Sequence, residues 1–389
     1  MNTSAPFWAD RARADGRIDA SRRRLLALAA AGLGSAAIAP ARAAQATGAA
    51  DHDLREPMRF PRDFGSHPRF RTEWWYVTGY AQSDAAQDQR EFGFQLTFFR
   101  SRVAQTQDLP SPFAARQLYF AHAALTDVTG RRLLHDQRSA RASGTPGFDL
   151  ASASETDTDL RLRDWTLVRH GGSYLARLPA DGFGLDLRLG ETQPVLLQGD
   201  QGLSRKGPQA DEISHYYSEP QLAVHGVLHL ARQSWRIASG RAWLDHEWSD
   251  ELLAPNAVGW DWIGMNLHDG GALTAFQVRD RAGNALWDGG SYRSPALALR
   301  VFRRGEVVFS PQRRWTSPAT GTVYPVQWGL STPVGRFTVR PVIDDQEEDS
   351  RASTGTIYWE GLSDLVGAQG QRVGRGYLEL TGYAEHLKL

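Results

Sequence analysis

The sequence predicts an all-β protein made of two consecutive antiparallel β-barrel domains, with β-sandwiches as the alternative arrangement. Three observations support this fold class. Short aromatic and β-branched segments recur at intervals of roughly 10 residues, as in sandwiches and barrels, and helical periodicity is almost absent. An aromatic hairpin pattern occurs twice. The length of 389 residues allows two or three domains at roughly 100–200 residues each.

The first predicted element is a hairpin with strands at 71–80 and 91–100. Phe92, Phe94 and Leu96 alternate with smaller or polar residues, and this period of two is typical of a half-buried strand. Later strands of the first half are predicted at 117–126, 160–167, 173–178, 183–189, 214–218, 222–231 and 234–243. Residues 100–116 form the one long connection, a loop or short helix that is able to cover the mouth of a barrel.

The second half repeats the pattern of the first. The spacing of residues 75–80 matches that of residues 260–265, and each segment is followed by a polar turn and a strand that contains Phe-Gln. This repeat predicts a duplicated domain with its boundary just after Trp248; a chance likeness between aromatic hairpins is the alternative. The remaining strands are predicted at 272–279, 296–303, 322–330, 336–342, 355–361 and 374–383. We interpret the acidic segment 344–350 as a solvated turn, because a calcium loop would need a glycine and alternating oxygen ligands.

The N-terminal segment is interpreted as an export signal rather than as part of the fold. A basic region that includes Arg23 and Arg24 precedes an apolar run at 27–39 and a small-residue cleavage site at 41–43. The apolar run is shorter than the roughly 20 residues that span a bilayer, and a retained anchor is the alternative. The predicted organisation is therefore a twin-arginine signal at 1–43, a linker at 44–56, and barrels at 57–248 and 249–389.

This organisation places the protein in the periplasm or outside the cell, with no integral membrane span after signal removal. Cysteine is absent, which excludes a disulfide framework, thiol catalysis and a lipobox anchor. The net charge is zero and no basic run follows the N-terminus, so a nucleic-acid partner is not expected. No nucleophile elbow, phosphate loop or dinucleotide fingerprint occurs, which argues against serine hydrolases and nucleotide-dependent enzymes.

Chemistry-bearing residue types concentrate at the predicted domain boundary. Strand alternation places Asp245 and Glu247 on one face and His246 and Trp248 on the other. A histidine can transfer a proton near neutral pH, and an indole face stabilises a nearby cation. Protonation of an alkene requires a proton donor and a group that stabilises the resulting carbocation, so His246 and Trp248 together fit this chemistry. The alternatives are a structural role, with the carboxylates holding the linker and His246 as a strut, or a zinc site formed with His122.

Glu73 is a second candidate, because it precedes two tryptophans. Desolvation would raise the pKa of its carboxyl group, as a general acid requires; pairing with an arginine under the barrel is the alternative. His122 lies in an apolar strand, where it is either a core residue or a ligand contact.

Five motifs in order carry a family resemblance. They lie at 72–79, 120–127, 216–220, 242–248 and 259–262. Together they resemble the AttH and carotenoid 1,2-hydratase family over residues 57–386. The resemblance implies two consecutive lipocalin-like barrels. In the hydratases of this family, water adds to an isoprenoid double bond through a carbocation, without a cofactor, and a His-x-Trp pair is implicated.

That pair matches His246 and Trp248. The hydratases also use a Tyr-x-Asp downstream of the pair, and residues 273–276 of this chain contain no acid. Asp261 or Asp280 would have to replace it.

Two functional hypotheses follow. In the first, the protein is a carrier that binds a lipid or isoprenoid-like molecule in a cavity near the domain junction, for example in the service of an envelope transporter. In the second it is a cofactor-independent hydratase, lyase or isomerase. The catalytic residues would be His246, Trp248, Asp261 and Glu73. The residues expected to contact the ligand are Trp75, Tyr76, His122, Tyr216, Tyr217, Asp245, Trp260 and Trp262. No metal and no cofactor are expected, and a ligand-free structural pair of domains is the third hypothesis.

Overall fold

A computed structural model describes residues 56–84, 89–251 and 253–385. The all-β prediction is confirmed, since these residues form two antiparallel sheets and no α-helix. The predicted signal at 1–43 and most of the predicted linker lie outside the described residues. Within the described part of the chain, no helix is both long and apolar enough to cross a lipid bilayer.

The first sheet contains thirteen strands and curls into a nearly closed barrel. Its strands are β1 (Thr72–Ser83), β2 (Glu91–Arg102), β3 (Gln117–Asp127), β4 (Arg132–Ala142), β5 (Ala151–Ala153), β6 (Asp159–Leu162), β7 (Trp165–Arg169), β8 (Ser173–Pro179), β9 (Phe183–Gly190), β10 (Leu196–Leu197), β11 (Leu203–Arg205), β12 (Ile213–Leu230) and β13 (Gln233–Ser249). The order is β4-β3-β2-β1-β13-β12-β9-β8-β7-β6-β5, with β10 and β11 paired to β12. The two ends of this order contact each other.

The second sheet contains ten strands and forms a half-barrel. Its strands are β14 (Gly259–Leu267), β15 (Ala272–Arg279), β16 (Ala285–Arg293), β17 (Leu299–Phe302), β18 (Val308–Thr316), β19 (Val323–Thr332), β20 (Gly335–Pro341), β21 (Glu347–Ser350), β22 (Thr356–Gly367) and β23 (Arg372–Leu380). The order is β17-β16-β15-β14-β23-β22-β20-β19-β18, with β21 paired to β22. The two sheets correspond to two consecutive lipocalin-like domains.

Three long strands were not predicted from the sequence, and one turn was predicted wrongly. β4, β16 and β18 were not predicted, because they are rich in polar residues and lack a clear apolar alternation. The interpretation of 344–350 as a solvated turn is wrong from Glu347 onward. There the chain forms β21, and Glu348 is buried with its carboxylate bound to the Tyr358 hydroxyl. A strand of four charged or polar residues has no apolar pattern to reveal it.

The two aromatic hairpins occupy the same place in the two sheets. β1 lies between β2 and β13, and β14 lies between β15 and β23. The proposed match of residues 75–80 with 260–265 is nevertheless wrong by one residue. Trp75 points into the first barrel, whereas Trp260 faces away from the second sheet's core. A shift of one residue exchanges the two faces of a strand.

Each sheet encloses its own apolar core. The first core includes Trp75, Phe92, Phe94 and Trp165, and the second is built around Trp359. A third apolar cluster, with Tyr76, Trp243, Trp262 and Phe276 among its members, lies where the outer faces of the two sheets meet. Because β1 and β14 are apolar on both faces, each strand packs one face into the core of its own sheet and the other face against the opposite sheet.

Candidate functional site

A cavity of about 360 Å³ lies between the outer faces of the two sheets. We call it the inter-sheet cavity. The first sheet contributes residues of β1, β2, β3, β12 and β13, and the second contributes residues of β14, β15, β22 and β23. The interiors of both barrels are occupied by their cores, so the cavity is formed by the side chains that strand alternation directs outward.

Aromatic side chains dominate the apolar part of the cavity wall. Its main apolar residues are Trp74, Phe99, Phe120, Trp260, Trp262 and Phe276. Tyr76 meets Trp262 edge to face across the two sheets, with ring centroids 5.3 Å apart. Concave, largely apolar surfaces with a few convergent polar groups are typical of small-molecule sites.

Asp245 provides the first polar group of the wall, and it accepts three hydrogen bonds. The donors are the hydroxyl of Tyr216 at 2.8 Å, the hydroxyl of Ser218 at 2.5 Å and the indole N–H of Trp243 at 2.6 Å. The Trp262 indole in turn donates to the Tyr216 oxygen at 3.2 Å. Burial raises the pKa of Asp245 to about 7 although the three hydrogen bonds oppose the rise. This carboxyl group can therefore exchange a proton near neutral pH.

Glu360 and Glu379 form the second polar region. They are direct neighbours across β22 and β23, and both line the cavity. The Tyr76 hydroxyl donates to Glu360. Burial and the adjacent Glu379 raise the pKa of Glu360 well above its usual range. Burial also raises the pKa of Glu379 to about 7. A hydrogen bond from Trp260 opposes this rise, and the negative charge of Asp245 adds to it. Like charges directly opposite each other in a sheet destabilise it, so at least one of these groups holds a proton at neutral pH.

Glu247 differs from these acids because it has a cationic partner. Lys206 places its ammonium 2.8 Å from a Glu247 oxygen and 4.6 Å from the ring centres of both Tyr216 and Phe276. Ser214 donates a further hydrogen bond of 2.5 Å to the same carboxylate. The one lysine on the cavity wall is therefore neutralised within the wall.

His122 and Gln95 are two of the neutral polar side chains of the wall. His122 contacts the Tyr358 hydroxyl at 2.7 Å and the Ser353 hydroxyl at 2.9 Å, and burial lowers its pKa to about 3. Gln95 donates to Thr97 at 2.6 Å, but its carbonyl oxygen, although buried, has no hydrogen-bond partner among the described residues. A buried orphan acceptor is unfavourable unless a ligand or water satisfies it.

His246 and Trp248, which the sequence predicted as catalytic residues, do not line the inter-sheet cavity. The predicted alternation along β13 is present, but Asp245 and Glu247 line the inter-sheet cavity while His246 and Trp248 point into the first barrel. The ring of His67 stacks on Trp248, with centroids 3.7 Å apart. Burial lowers the pKa of His246 to about 4 despite its bond to Glu73.

Glu73 pairs with an arginine, which was the alternative to a raised-pKa acid. It borders the cavity, but its carboxylate accepts from Arg100 at 2.8 Å, from His246 at 2.9 Å and from His67 at 2.8 Å. Burial opposes ionisation, yet Arg100 and the two histidines hold the pKa of Glu73 well below its usual range. Glu73 is thus a fixed anion and not a proton donor.

One trio of residues in the described part of the chain has the spacing of a metal site. Ligand atoms of His67, Glu73 and His246 lie within 4.8 Å of one another. All three are already engaged in the hydrogen bonds above, and the Arg100 guanidinium occupies the second carboxylate oxygen. The network is complete without an ion. The zinc alternative with Asp245 is not supported, because Asp245 and His246 lie on opposite faces of β13.

Asp261 does not replace the missing downstream acid in the cavity. It points to the other face of β14, where it binds Arg279 at 2.9 Å, Gln277 at 2.7 Å and the Tyr383 hydroxyl at 2.8 Å. Burial raises its pKa, and Arg279 limits the rise. The distance of 122 residues between Asp261 and Tyr383 explains why the sequence did not reveal this pairing.

Six of the eight predicted ligand contacts line the inter-sheet cavity: Tyr76, His122, Tyr216, Asp245, Trp260 and Trp262. Trp75 and Tyr217 do not, because they belong to the first barrel's core. Glu360, Glu379 and Gln95 were not predicted from the sequence. A charged residue inside an otherwise apolar strand, such as Glu379 between two leucines, was the available signal.

Comparisons with known proteins agree with this architecture. A family model described as AttH-like matches residues 52–383. A crystal structure of a candidate AttH protein from Nitrosomonas europaea is 44% identical, covers 85% of this chain and 98% of its own, and has a TM-score of 0.77. Kievitone hydratase from Nectria haematococca is 15% identical, covers 85% of this chain and 94% of its own, and has a TM-score of 0.63, which shows a shared fold. None of the curated proteins compared with the chain matches it.

Proposed function

The chain belongs to the AttH-like family, and from this premise we propose that it binds a hydrophobic small molecule, such as a lipid or an isoprenoid-like compound, in the inter-sheet cavity. The observation that carries the proposal is the cavity itself. The cavity has a volume of about 360 Å³ and lies between two sheets that each enclose an apolar core. Volumes of roughly 300–1,000 Å³ and aromatic walls are typical of ligand sites.

A cavity-filling substitution tests this proposal. Val278 lines the cavity, so Val278→Trp is expected to abolish binding, whereas Val323→Trp, at an exposed position at the start of β19, leaves it unchanged. The measurement is mass spectrometry of small molecules that co-purify with the native protein and with each variant. Retention of the same molecule by Val278→Trp would place the ligand elsewhere. Recovery of no molecule from the native protein would count against binding altogether.

A second candidate is acid-catalysed addition of water to an alkene, or isomerisation of one. It is favoured by the carboxyl groups of Asp245 and Glu379, whose pKa values of about 7 allow proton donation into an apolar cavity. The indoles of Trp260 and Trp262 would stabilise the developing cation. In this form the proton donors are cavity carboxyls, and His246 and Trp248 support the barrel behind them.

Solvent deuterium incorporation tests the second candidate. An isoprenoid alkene incubated with the protein in D₂O should gain deuterium, Asp245→Asn should lose at least about tenfold in rate, and His246→Gln should retain it. Incorporation that depends on His246 and not on Asp245 would refute the assignment of the acid.

Export to the periplasm and delivery of the ligand to an envelope transporter belong to the same proposal. Export rests on the arginine pair at Arg23 and Arg24 and the apolar run that follows, and delivery to an envelope transporter depends on that export. Replacing both arginines by lysine is expected to retain the protein in the cytoplasm, and cell fractionation measures this.

A further inference from the structure

The inter-sheet cavity is lined by more acidic than basic side chains. Five carboxyl groups line it: Glu73, Asp245, Glu247, Glu360 and Glu379. Lys206 neutralises Glu247, and Arg100, which also lines the cavity, is bound to Glu73. In the described part of the chain, no ion pair involves the other three acids. Burying acids without a cation is costly, because their ionised forms lose hydration and repel one another.

The pairing of the strands concentrates this charge. Glu379 lies between Trp262 on β14 and Glu360 on β22, in one row across the sheet. A glutamate pair opposite each other is unfavourable in a sheet, and at this position both side chains open onto a ligand cavity rather than onto water. The adjoining indole ring offers a negative face of the kind that attracts cations.

An orphan acceptor on the opposite wall supports the same conclusion. Gln95 is only 1% exposed and lines the cavity, and its carbonyl oxygen has no partner among the described residues. A group that satisfies it must donate a hydrogen bond. Ammonium groups donate up to three hydrogen bonds and accept none, so they match both carboxylates and the free amide oxygen.

We propose that the ligand of the inter-sheet cavity is a hydrophobic amine, whose ammonium group binds Glu360 and Glu379 beside Trp262. The inference rests on the proposed binding function and adds the chemical class of the ligand. The apolar part of the ligand contacts Phe99, Phe120 and Phe276. The wall then supplies carboxyl groups for the charge and aromatic faces for the cation and the chain, and a donor group on the ligand satisfies the amide oxygen of Gln95.

Three probes of equal length separate charge from hydrophobicity. Isothermal titration with n-decylammonium, n-decanol and decanoate at about pH 7.5 is expected to show the amine binding at least about tenfold more tightly than the alcohol. Decanoate should bind most weakly. If decanol or decanoate binds as tightly as the amine, the ligand class is wrong and the binding function stands. If none of the three binds, both the ligand class and the binding function are overturned.

Two substitutions localise the effect. Glu360→Gln and Glu379→Gln are each expected to reduce the preference for the amine while keeping the affinity for decanol, because each removes one of the two carboxyl groups that share the ammonium group. Glu385→Gln is the matched control, because Glu385 is exposed and lies outside the cavity. An unchanged amine preference in both cavity variants would overturn the proposal.

The pH dependence of the native protein gives a test that needs no variant. The titratable and charged groups on or behind the cavity wall are Asp245, Glu247, Glu360, Glu379, Lys206, Glu73, Arg100, His122, Glu348 and the three tyrosines Tyr76, Tyr216 and Tyr358. Asp245 and Glu379 have pKa values of about 7, so they ionise as the pH rises from 6 to 8 while the amine stays charged. Affinity for decylammonium should rise over this interval and that for decanol should not. A flat amine profile would overturn the proposal.

Discussion

The buried anion Glu73 gives the sharpest test of how the first barrel is stabilised. Its carboxylate and the Arg100 guanidinium are 2.8 Å apart, and both side chains are fully buried. Glu73 also accepts from the Ser66 hydroxyl at 2.7 Å and from the backbone N–H of His67 at 2.9 Å. Glu73→Gln removes the charge and replaces one acceptor oxygen by an amide N–H beside the obligate donors Arg100 and the His67 backbone N–H.

The expected loss is about 3–5 kcal/mol of unfolding free energy, the usual cost of leaving one buried charge without its partner. Equilibrium urea unfolding measures it. Glu191→Gln is the matched control, because the Arg169–Glu191 pair has the same 2.8 Å separation, but its side chains are 14% and 27% exposed. Its expected cost is below about 1 kcal/mol. Similar small losses in both variants would refute the claim that burial makes the Glu73 pair indispensable.

Three further predictions concern pH and packing. Both ring nitrogens of His67 face carboxylates, at 3.0 Å from Asp63 and 2.8 Å from Glu73; burial alone would lower its pKa, but these bonds raise it. Since the pKa of His67 is higher in the folded than in the unfolded state, its contribution to the free energy of unfolding is complete below about pH 6.5 and is lost as the pH rises through the folded pKa. Urea unfolding of His67→Gln should therefore show a flatter decline of stability with pH. Without ligand, the free energy of unfolding of Glu379→Gln at pH 8 should exceed that of the native protein by roughly 1–3 kcal/mol, because a carboxyl pKa of about 7 in the folded state makes ionisation destabilising. The difference should vanish near pH 4, where the carboxyl group is protonated. Gly264→Ala should cost about 1–3 kcal/mol and shift tryptophan fluorescence, because the new Cβ would collide with the Trp262 ring.

For each of these three predictions, one experimental result would contradict the reasoning. A His67→Gln protein with the native pH profile would show that the imidazole is not held charged between its two carboxylates. A Glu379→Gln protein that is less stable at pH 8 would mean that the glutamate pair is favourable without a ligand. An unchanged Gly264→Ala protein would show that the Trp262 ring is free to move.

The fold class and the alternation of side chains were determined by the sequence alone. Residues 91–100 and 272–279 were predicted as strands and form β2 and β15, because period-two hydrophobicity is a local property. The same rule correctly separated Asp245 and Glu247 from His246 and Trp248. It also placed the polar cluster next to the point where the chain passes from the first sheet to the second.

Only the tertiary structure decided which face of each strand lines the inter-sheet cavity. On β1, Trp74 and Tyr76 on one face are as apolar as Trp75 and Val77 on the other, so no local pattern distinguishes a barrel core from an inter-sheet wall. The choice is made by which sheet packs against which face. For the same reason the sequence selected His246 as the reactive group, although it belongs to the core.

Long-range strand pairing decided the polar part of the site. Glu360 and Glu379 are opposed because β22 and β23 pair in one register, and they meet Tyr76 and Asp245 because two sheets far apart in sequence pack together. Each acid by itself is an isolated charge in an apolar strand. Their raised pKa values arise from mutual proximity and shared burial, and these physical quantities exist only once the chain has folded.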